Sequence, residues 1–407
     1  MLGSIRRFAF EPIAPVRRRL RARVDVISRD LRMLKGSLLG KHPPPFRERH
    51  ASANDVQVAA APRVVRVASV IRESADCVSL VLQDPRGNEP FAFAAGQFFT
   101  VVVRIDGVPY RRAYSASSSA SETDSVTISV KRVDGGLVSN FIHDHVVVGT
   151  ELELLGPSGD FVVTVRESDT ARTLLMIAGG SGITPIASIL RTVLEADERT
   201  NFVLVYGSRS SGDIIFKGAL DELVRAYRGR LRVVHVLGRA DVTVTPHVGV
   251  LGEQELSTVL DREGVAIKQI DRCYVCGPEP MMEAARACLG AGGLSFERIT
   301  FERFLAPRPP AFDARSNEPH TIKLRRNGRS LDLIAMPGQT LLEAALAAGE
   351  PFPFSCTMGG CGACKVKKLA GHVAMAEPNC LTEAERGDDA VLACVACALS
   401  DVEVEVP

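Results

Sequence analysis

Long apolar runs are missing from this sequence. None reaches the roughly 18 uncharged residues of a membrane-spanning helix, and the arginine-rich start has no central apolar block of the kind a secretory signal carries. The expected location is the cytoplasm, with the inner face of the membrane left open as a peripheral site. Net charge is almost absent as well, at +1 over 407 residues. Aromatic side chains are few, and in the basic head only Phe8, Phe10 and Phe46 accompany the arginines. That excludes the interleaved basic and aromatic pattern of a nucleic-acid binder. No internal repeat is present. What remains is a multidomain chain: the length suits two to four domains, and 46% hydrophobic residues are enough to bury a core in each.

The small net charge hides a division. The first fifty residues hold 13 Lys plus Arg against 4 Asp plus Glu, and the remainder is mildly acidic. Within the head at 1–60, Val16, Leu20, Val24, Ile27, Leu31 and Leu34 recur every three to four residues. The spacing predicts an arginine-rich amphipathic helix, ended by the prolines of GKHPPPF. As a solvated helix it needs no partner; contact with anionic lipid at a membrane surface, docking of an acidic partner and packing on the acidic body are the other readings left open. From 61 to 165, short runs such as RVVRVASVIRE, FFTVVVRI and VTISVKRV are bounded by Gly, Pro or Asp and predict a small antiparallel β-barrel. From 166 to 305 strand-like and helix-like runs alternate, from RTLLMIAGG to PMMEAARACL, the pattern of an α/β doubly wound parallel sheet. A Pro-rich linker at 306–318 precedes a last domain at 319–407.

Ten cysteines in a reducing compartment are better explained as metal ligands, core residues or catalytic thiols than as disulfides. Cys356, Cys361, Cys364 and Cys394 follow C-x4-C-x2-C-x29-C, the plant-type spacing for a 2Fe-2S cluster on four thiolates. Three ligands so close in sequence force the backbone around a compact inorganic core, and Gly359, Gly360 and Gly362 supply positive φ and amides able to reach the sulfurs. The competing arrangement, a zinc ribbon on Cys361, Cys364, Cys394 and Cys397, leaves Cys356 idle and gives the glycines no purpose. Cys77, Cys380 and Cys397 are then expected to be small core or surface residues. With these ligands in place, the segment from His320 to Val406 resembles a plant-type ferredoxin domain, of α+β, β-grasp fold. TIKLRRNGRSLDLIAMPGQTLLEAALAAG stands where that family has its opening hairpin and first helix, and DVEVEV where it has its last strand.

Two further regions read as cofactor sites. In YRRAYSASS, Arg112, Tyr114 and Ser115 form R-x-Y-S: an arginine can neutralise a diphosphate, a tyrosine can pack on an isoalloxazine ring, and a serine hydroxyl can reach the flavin N5 edge. A polar strand end followed by a serine-rich turn is the plain alternative. In GGLVSNFIHD, Gly136, Leu137, Val138 and Ser139 stand at a predicted helix start, where free amides suit a pyrophosphate. In this order the two stretches resemble the flavin domain of the ferredoxin-NADP reductase superfamily. In LLMIAGGSGITPIASIL an apolar strand runs into Gly179, Gly180 and Gly182, followed by Thr184 and by Pro185 in the first turn of a helix. Amides then face outward at the C-terminal edge of a parallel sheet, where dinucleotides bind. The spacing is G-x-G-x-x-P rather than G-x-G-x-x-G, and its weight comes from YVCGPEPMM, where Cys276, Gly277 and Pro278 resemble the superfamily's later strand, whose thiol lies near the nicotinamide. FERF resembles the end of the reductase module, with Phe304 in the place of an aromatic near the flavin ring or the path to the cluster; a core phenylalanine is the plain alternative. Cys273 and Cys288 are expected to be apolar positions.

The resemblance runs from Arg63 to Val406 in the order flavin barrel, nucleotide domain, ferredoxin, as in the single-chain reductases that feed aromatic-ring hydroxylases, steroid and phenylacetyl-CoA oxygenases and acyl desaturases. It implies an NAD(P)H-dependent oxidoreductase holding a 2Fe-2S cluster and FAD, the latter ahead of FMN because Ala116 stands where FMN-binding relatives have Leu. Hydride brings two electrons and the cluster takes one, a mismatch that a flavin resolves. Ser115 at N5, with Thr184 and Cys276 placing the nicotinamide, are the expected catalytic positions, and no strong general base is needed. NADPH is expected ahead of NADH on Ser208 and Arg209 in YGSRSSGD and Arg239 in HVLGRAD, although Gly238 stands where the superfamily has serine. The expected acceptor is a separate terminal oxygenase, hydroxylase or acyl desaturase. A redox sensor without such a partner is the other class of function the motifs allow.

Overall fold

The computed structural model describes residues 62–165, 170–239, 247–304, 318–377 and 379–407. The basic helix expected within 1–60, and all but the last residue of the linker expected at 306–318, lie outside the described residues. Among the described residues no helix is long and apolar enough to cross a membrane.

The first sheet contains β1 (Arg63–Ser74), β2 (Cys77–Gln83), β3 (Phe98–Ile105), β4 (Val108–Ser115), β5 (Ser125–Lys131) and β6 (Glu151–Ser158). Their order is β4-β3-β6-β1-β2-β5, every neighbouring pair antiparallel. A bridge between Ala116, just after β4, and Ile128 of β5 joins the two edges at one end, closing the sheet as a barrel there. Alternation decides what fills it. Val65 and Val67 of β1, Leu80 and Leu82 of β2, and Val126, Ile128 and Val130 of β5 enter one buried cluster, the two-residue period of a strand with one inward face. VPYRRAYS carries no hydrophobic alternation, so β4 is a strand that the sequence does not announce; it forms because β3 pairs with its full length. Helix α1 (Leu137–His145) follows β5 and lays Val138 and Ile142 on the barrel core.

The second sheet is parallel throughout. It holds β7 (Arg172–Gly179), β8 (Thr200–Ser208), β9 (Leu231–Leu237), β10 (His247–Val248), β11 (Arg272–Cys276) and β12 (Ile299–Glu302), in the order β10-β9-β8-β7-β11-β12. Helices α2 (Ile183–Ala196), α3 (Lys217–Ala226), α4 (Glu253–Arg262) and α5 (Glu279–Ala291) alternate with the strands. Helices cover both faces, which is why β7 is an unbroken apolar run: Leu174, Met176 and Ala178 share a cluster with α2, while Leu175 and Ile177 share one with α4 and α5. The strand order reverses between β7 and β11, so the turns after these two strands open side by side. Cys77, Ala95, Phe161 and Val163 from the barrel side join the α2 cluster, giving barrel and parallel sheet a shared dry seam.

The last sheet is mixed. β13 (His320–Arg326), β14 (Arg329–Ala335), β15 (Lys365–Ala370), β17 (Ala390–Leu392) and β19 (Val402–Glu405) run in the order β14-β13-β19-β15-β17, with β13 and β19 parallel and the other neighbours antiparallel. Beside it β16 (Val373–Met375) pairs with β18 (Ala396–Ala398). Helix α6 (Leu341–Ala347) starts from a reciprocal cap between Thr340 and Glu343 and buries Leu341, Leu342, Ala344 and Ala345 in the core with Ile322, Val366 and Val404 of the sheet, the β-grasp arrangement.

Candidate functional site

The β3–β4 hairpin carries R-x-Y-S. Its register sets Phe98 opposite Ser115, Phe99 opposite Tyr114 and Val101 opposite Arg112. Arg112 is exposed, which leaves its charge available to a diphosphate. Burial raises the Tyr114 phenol above its usual range while Arg112 pulls the other way, so the ring is neutral. Ser115 is buried and its hydroxyl donates to Glu302 Oε2 at 3.2 Å, from the last residue of β12. Burial pushes the Glu302 carboxyl up to about 8, against the opposing effect of the Ser115 hydrogen bond, and at neutral pH it holds its proton. Register places Cys276 of β11 opposite Glu302. Burial and then the neighbouring Glu302 push the Cys276 thiol well up, which makes it a neutral wall rather than a nucleophile. Motif reading passes over Glu302, which the structure brings against Ser115 and Cys276, since FERF draws attention to Phe304 and a single carboxylate at a strand end has no pattern. Phe304 itself is 43% exposed.

On the barrel side, Gly136 precedes α1 with no side-chain cap. Ser139 Oγ accepts from the Val133 amide at 3.1 Å and donates to the Gly136 carbonyl at 3.4 Å, fixing the turn; Val138 is buried and Leu137 exposed. On the nucleotide side, the chain turns after β7 through Gly179, Gly180 and Gly182. A Cβ on Gly182 would stand 2.0 Å from the Cys276 carbonyl oxygen, so only glycine lets this turn lie against the turn after β11. Gly179 and Gly277 approach one another in the same place, and Pro278 packs on Gly179. The Thr184 hydroxyl donates to the Ser181 carbonyl at 3.0 Å, and both Thr184 and Pro185 are buried in α2. No acidic side chain occupies the first turn of α2, which leaves its amides to an anion. Tyr206, another residue without a motif, braces the turn: its hydroxyl donates to the Gly180 carbonyl at 3.1 Å and accepts from the Ile215 amide at 3.2 Å.

Ser208 and Arg209 meet Gly238 and Arg239 across adjacent strand ends, with the Gly238 amide on the Ser208 carbonyl at 2.9 Å and the Arg239 amide on the Arg209 carbonyl at 3.0 Å. Both arginine side chains face solvent. Arg209 is already engaged, by Asp76 of the β1–β2 turn at 2.6 Å and by Asp213.

The four cysteines of the C-x4-C-x2-C-x29-C spacing stand as two pairs, Cys356 against Cys361 and Cys364 against Cys394. Cys361 is half-buried and the other three are buried. Thr357, Gly359 and Gly362 adopt φ of +56°, +69° and +72°, which turns successive amides inward. The amides of Met358 and Gly360 each lie 3.4 Å from Cys356 Sγ, that of Gly359 faces Cys394, and that of Ala363 faces Cys361. The Cys361 thiol, helped by the amides, holds Cys356 down at about 6 in spite of burial, and the same contact pushes Cys361 up. Paired sulfurs ringed by amide donors fit a dinuclear cluster, two sulfurs to each iron. A single zinc needs its ligands around one point, and among the described residues no three His, Cys, Asp or Glu side chains are so placed. Cys397, which a zinc ribbon requires, directs its sulfur to the Gly338 carbonyl at 3.8 Å.

Three family models match the chain in sequence: an oxidoreductase FAD-binding domain over 64–163, an oxidoreductase NAD-binding domain over 176–287 and a 2Fe-2S iron-sulfur cluster binding domain over 324–399. The ferredoxin reductase component of 3-ketosteroid-9-alpha-monooxygenase from Mycolicibacterium smegmatis is 34% identical over 356 residues, covering 84% of this chain and 96% of that one. This chain belongs to the ferredoxin reductase family. A component of 1,2-phenylacetyl-CoA epoxidase from Escherichia coli is 31% identical to the reductase, over 83% of this chain and 96% of its own. The solved structure of phthalate dioxygenase reductase matches with a TM-score of 0.61 at 27% identity, over 85% of this chain and 97% of the other. The reductase is an oxidoreductase that binds FAD, a nicotinamide nucleotide and a 2Fe-2S cluster.

Proposed function

We propose that the reductase takes hydride from NAD(P)H where the turns after β7 and β11 meet the flavin hairpin, and hands electrons singly from the cluster loop to a separate terminal oxygenase. The observation that carries this is the Ser115–Glu302 hydrogen bond, which joins the flavin strand to the nucleotide sheet beside Cys276. The acceptor is supported by the relatives, which are components of a monooxygenase, an epoxidase and a dioxygenase system. Bound FAD accepts two electrons as hydride and releases them singly, and the bound cluster carries one at a time.

Each residue then has a task. Arg112 neutralises the flavin diphosphate together with the amides at Gly136, Leu137, Val138 and Ser139, and Tyr114 offers a neutral face to the ring. Gly179, Gly180 and Gly182 leave the α2 amides open to the nucleotide pyrophosphate, with Thr184 and Pro185 fixing the helix start. Cys276, Gly277 and Pro278 wall the nicotinamide end without bringing charge. Glu302 keeps a proton against Ser115, so the edge that receives hydride is not faced by an anion. Ser208, Arg209 and Arg239 take the adenosine end, and Asp76 and Asp213 set how much of the Arg209 charge is left for a 2′-phosphate. Phe304 closes the flavin side where β12 ends. Cys356, Cys361, Cys364 and Cys394 ligate the cluster.

Anaerobic titration with NADH and with NADPH, followed in the visible spectrum, tests the scheme. Uptake of about three electrons per chain, two at the flavin bands and one at the cluster bands, followed by reoxidation on adding a purified oxygenase, is the expected result. Flavin that bleaches while the cluster stays oxidised overturns it.

A further inference from the structure

One contact outside the motifs crosses from the flavin hairpin to the cluster loop. Thr100 of β3 is buried, and its hydroxyl donates to the carbonyl of Ser355 at 3.0 Å, 255 residues further along the chain. Ser355 precedes the ligand Cys356 by one peptide bond. In the β3–β4 register Thr100 faces Ala113, on the rung between those of Arg112 and Tyr114. A second contact flanks the first, the Arg111 guanidinium lying 6.0 Å from the centre of the Phe354 ring. Phe352, two residues before Phe354, is locked in the ferredoxin core, so the segment is anchored on its own side and transmits position to the ligand loop.

We propose that the Thr100–Ser355 hydrogen bond fixes the cluster loop against the flavin hairpin and forms the tightest link in the electron route between them, which makes Thr100 a positioning residue. The inference rests on the proposed function above and deepens it. The sequence offers one trace, a lone hydroxyl within the apolar run FFTVVV, whose burial demands a hydrogen-bond partner. From the Thr100 oxygen the route needs one hydrogen bond and then only covalent bonds, through the Ser355 carbonyl to the backbone and sulfur of Cys356. With FAD and the cluster bound, each crossing would move one electron from the former to the latter, and no bond would form or break at Thr100 or Ser355. A second crossing, after the acceptor has taken the first electron, would account for both hydride electrons, the hydride's proton going to solvent.

Thr100→Val keeps the shape and deletes the hydroxyl, and Thr100→Ser restores it. The full chain, loaded with FAD and cluster, is mixed anaerobically with the nucleotide that reduces it faster, and flavin and cluster bleaching are followed separately by stopped-flow absorbance. Expected is an unchanged flavin phase in T100V with a cluster phase slowed about tenfold, the scale of a small misplacement, and a T100S cluster phase close to that of the wild type. Amide exchange across residues 356–361 should rise in T100V, while the electron paramagnetic resonance spectrum of its dithionite-reduced cluster stays that of the wild type. A T100V cluster phase as fast as the wild type's, a T100S phase as slow as T100V's, or an altered cluster spectrum in T100V overturns the proposal. A wild-type cluster that never bleaches overturns the parent reading, and this proposal with it.

Discussion

At the proposed flavin end of the reductase, beside Ser115, two groups keep their protons: the Glu302 carboxyl is raised to about 8 and the Cys276 thiol is pushed well up. At the cluster end one thiol of a coupled pair, Cys356, is drawn down by the Cys361 thiol and the loop amides, while Cys361 itself is pushed up. Cys276 and Cys356 are both buried, so burial is not what separates them. The neighbours are. Glu302 receives one hydroxyl, from Ser115, and desolvation prevails; Cys356 receives two backbone amides and a partner thiol, and the anion prevails. The division suits the two tasks. Hydride transfer is best faced by uncharged groups, whereas an iron-sulfur cluster needs anionic sulfur whose charge is shared among donors.

The largest way to break this contrast is at the sulfurs. Cys394→Ala deprives Cys364 of its partner, and the cluster absorbance and paramagnetic signal should vanish. One-electron reduction of cytochrome c should fall by more than about a hundredfold, beyond the cost of losing an outer-shell partner, while NAD(P)H still bleaches the flavin. A retained cluster would mean that another thiol ligates in its place. Glu302→Gln tests the opposite end, because it keeps a hydrogen-bonding group beside Ser115 but cannot titrate. Flavin reduction in E302Q should match the wild type near neutral pH, because the amide faces the same edge without charge. In the wild type the rate should decline as pH rises through about 8, where Glu302 loses its proton, and in E302Q it should be flat over that range. An identical pH profile in both proteins removes Glu302 from the chemistry.

A third region obeys neither rule. Arg209 is exposed and held by Asp76 and Asp213, and exposed pairs contribute little, so substitution there should have a modest effect. Asp76→Asn frees part of the Arg209 charge and should raise kcat/KM for NADPH relative to NADH about threefold, within the range of exposed ion pairs. An unchanged ratio in steady-state assays would place the 2′-phosphate away from Arg209.

What the sequence makes legible follows from distance along the chain. The 2Fe-2S, FAD-binding and NAD-binding domains are legible because C-x4-C-x2-C, R-x-Y-S and the glycine turn each carry their proposed chemistry within a few residues. Apolar alternation announces the barrel, and continuous apolar runs announce the parallel sheet. Glu302 and Asp76 leave no such trace, and Thr100 only a lone hydroxyl in an apolar run, because each acts on a residue from a distant element: the partners are 187, 133 and 255 positions apart. Strand β4 is hidden for a related reason, since its strand state comes from the ladder that β3 offers it and not from its own side chains.

The smallest expected effect concerns stability, and its sign separates two carboxylates. Glu302 ionises near 4.5 when unfolded and at about 8 in the fold, chiefly through burial. Between those values the native chain holds a proton that the unfolded chain has released, so this residue's contribution to stability falls as pH rises from 4.5 to about 8 and is constant above. Glu385 behaves oppositely: the hydrogen bond from Lys365, aided by Thr382, lowers it to about 2, and its contribution is present above 4.5 and lost as pH falls toward 2. Thermal unfolding of the cofactor-free chain should therefore show the difference between wild type and E302Q changing steadily across pH 4.5 to 8, with Glu385→Gln altering only the acid side of that window. Parallel curves for wild type and E302Q would mean that the Glu302 carboxyl titrates as an ordinary exposed one, and the proton-keeping half of the contrast would fail with it.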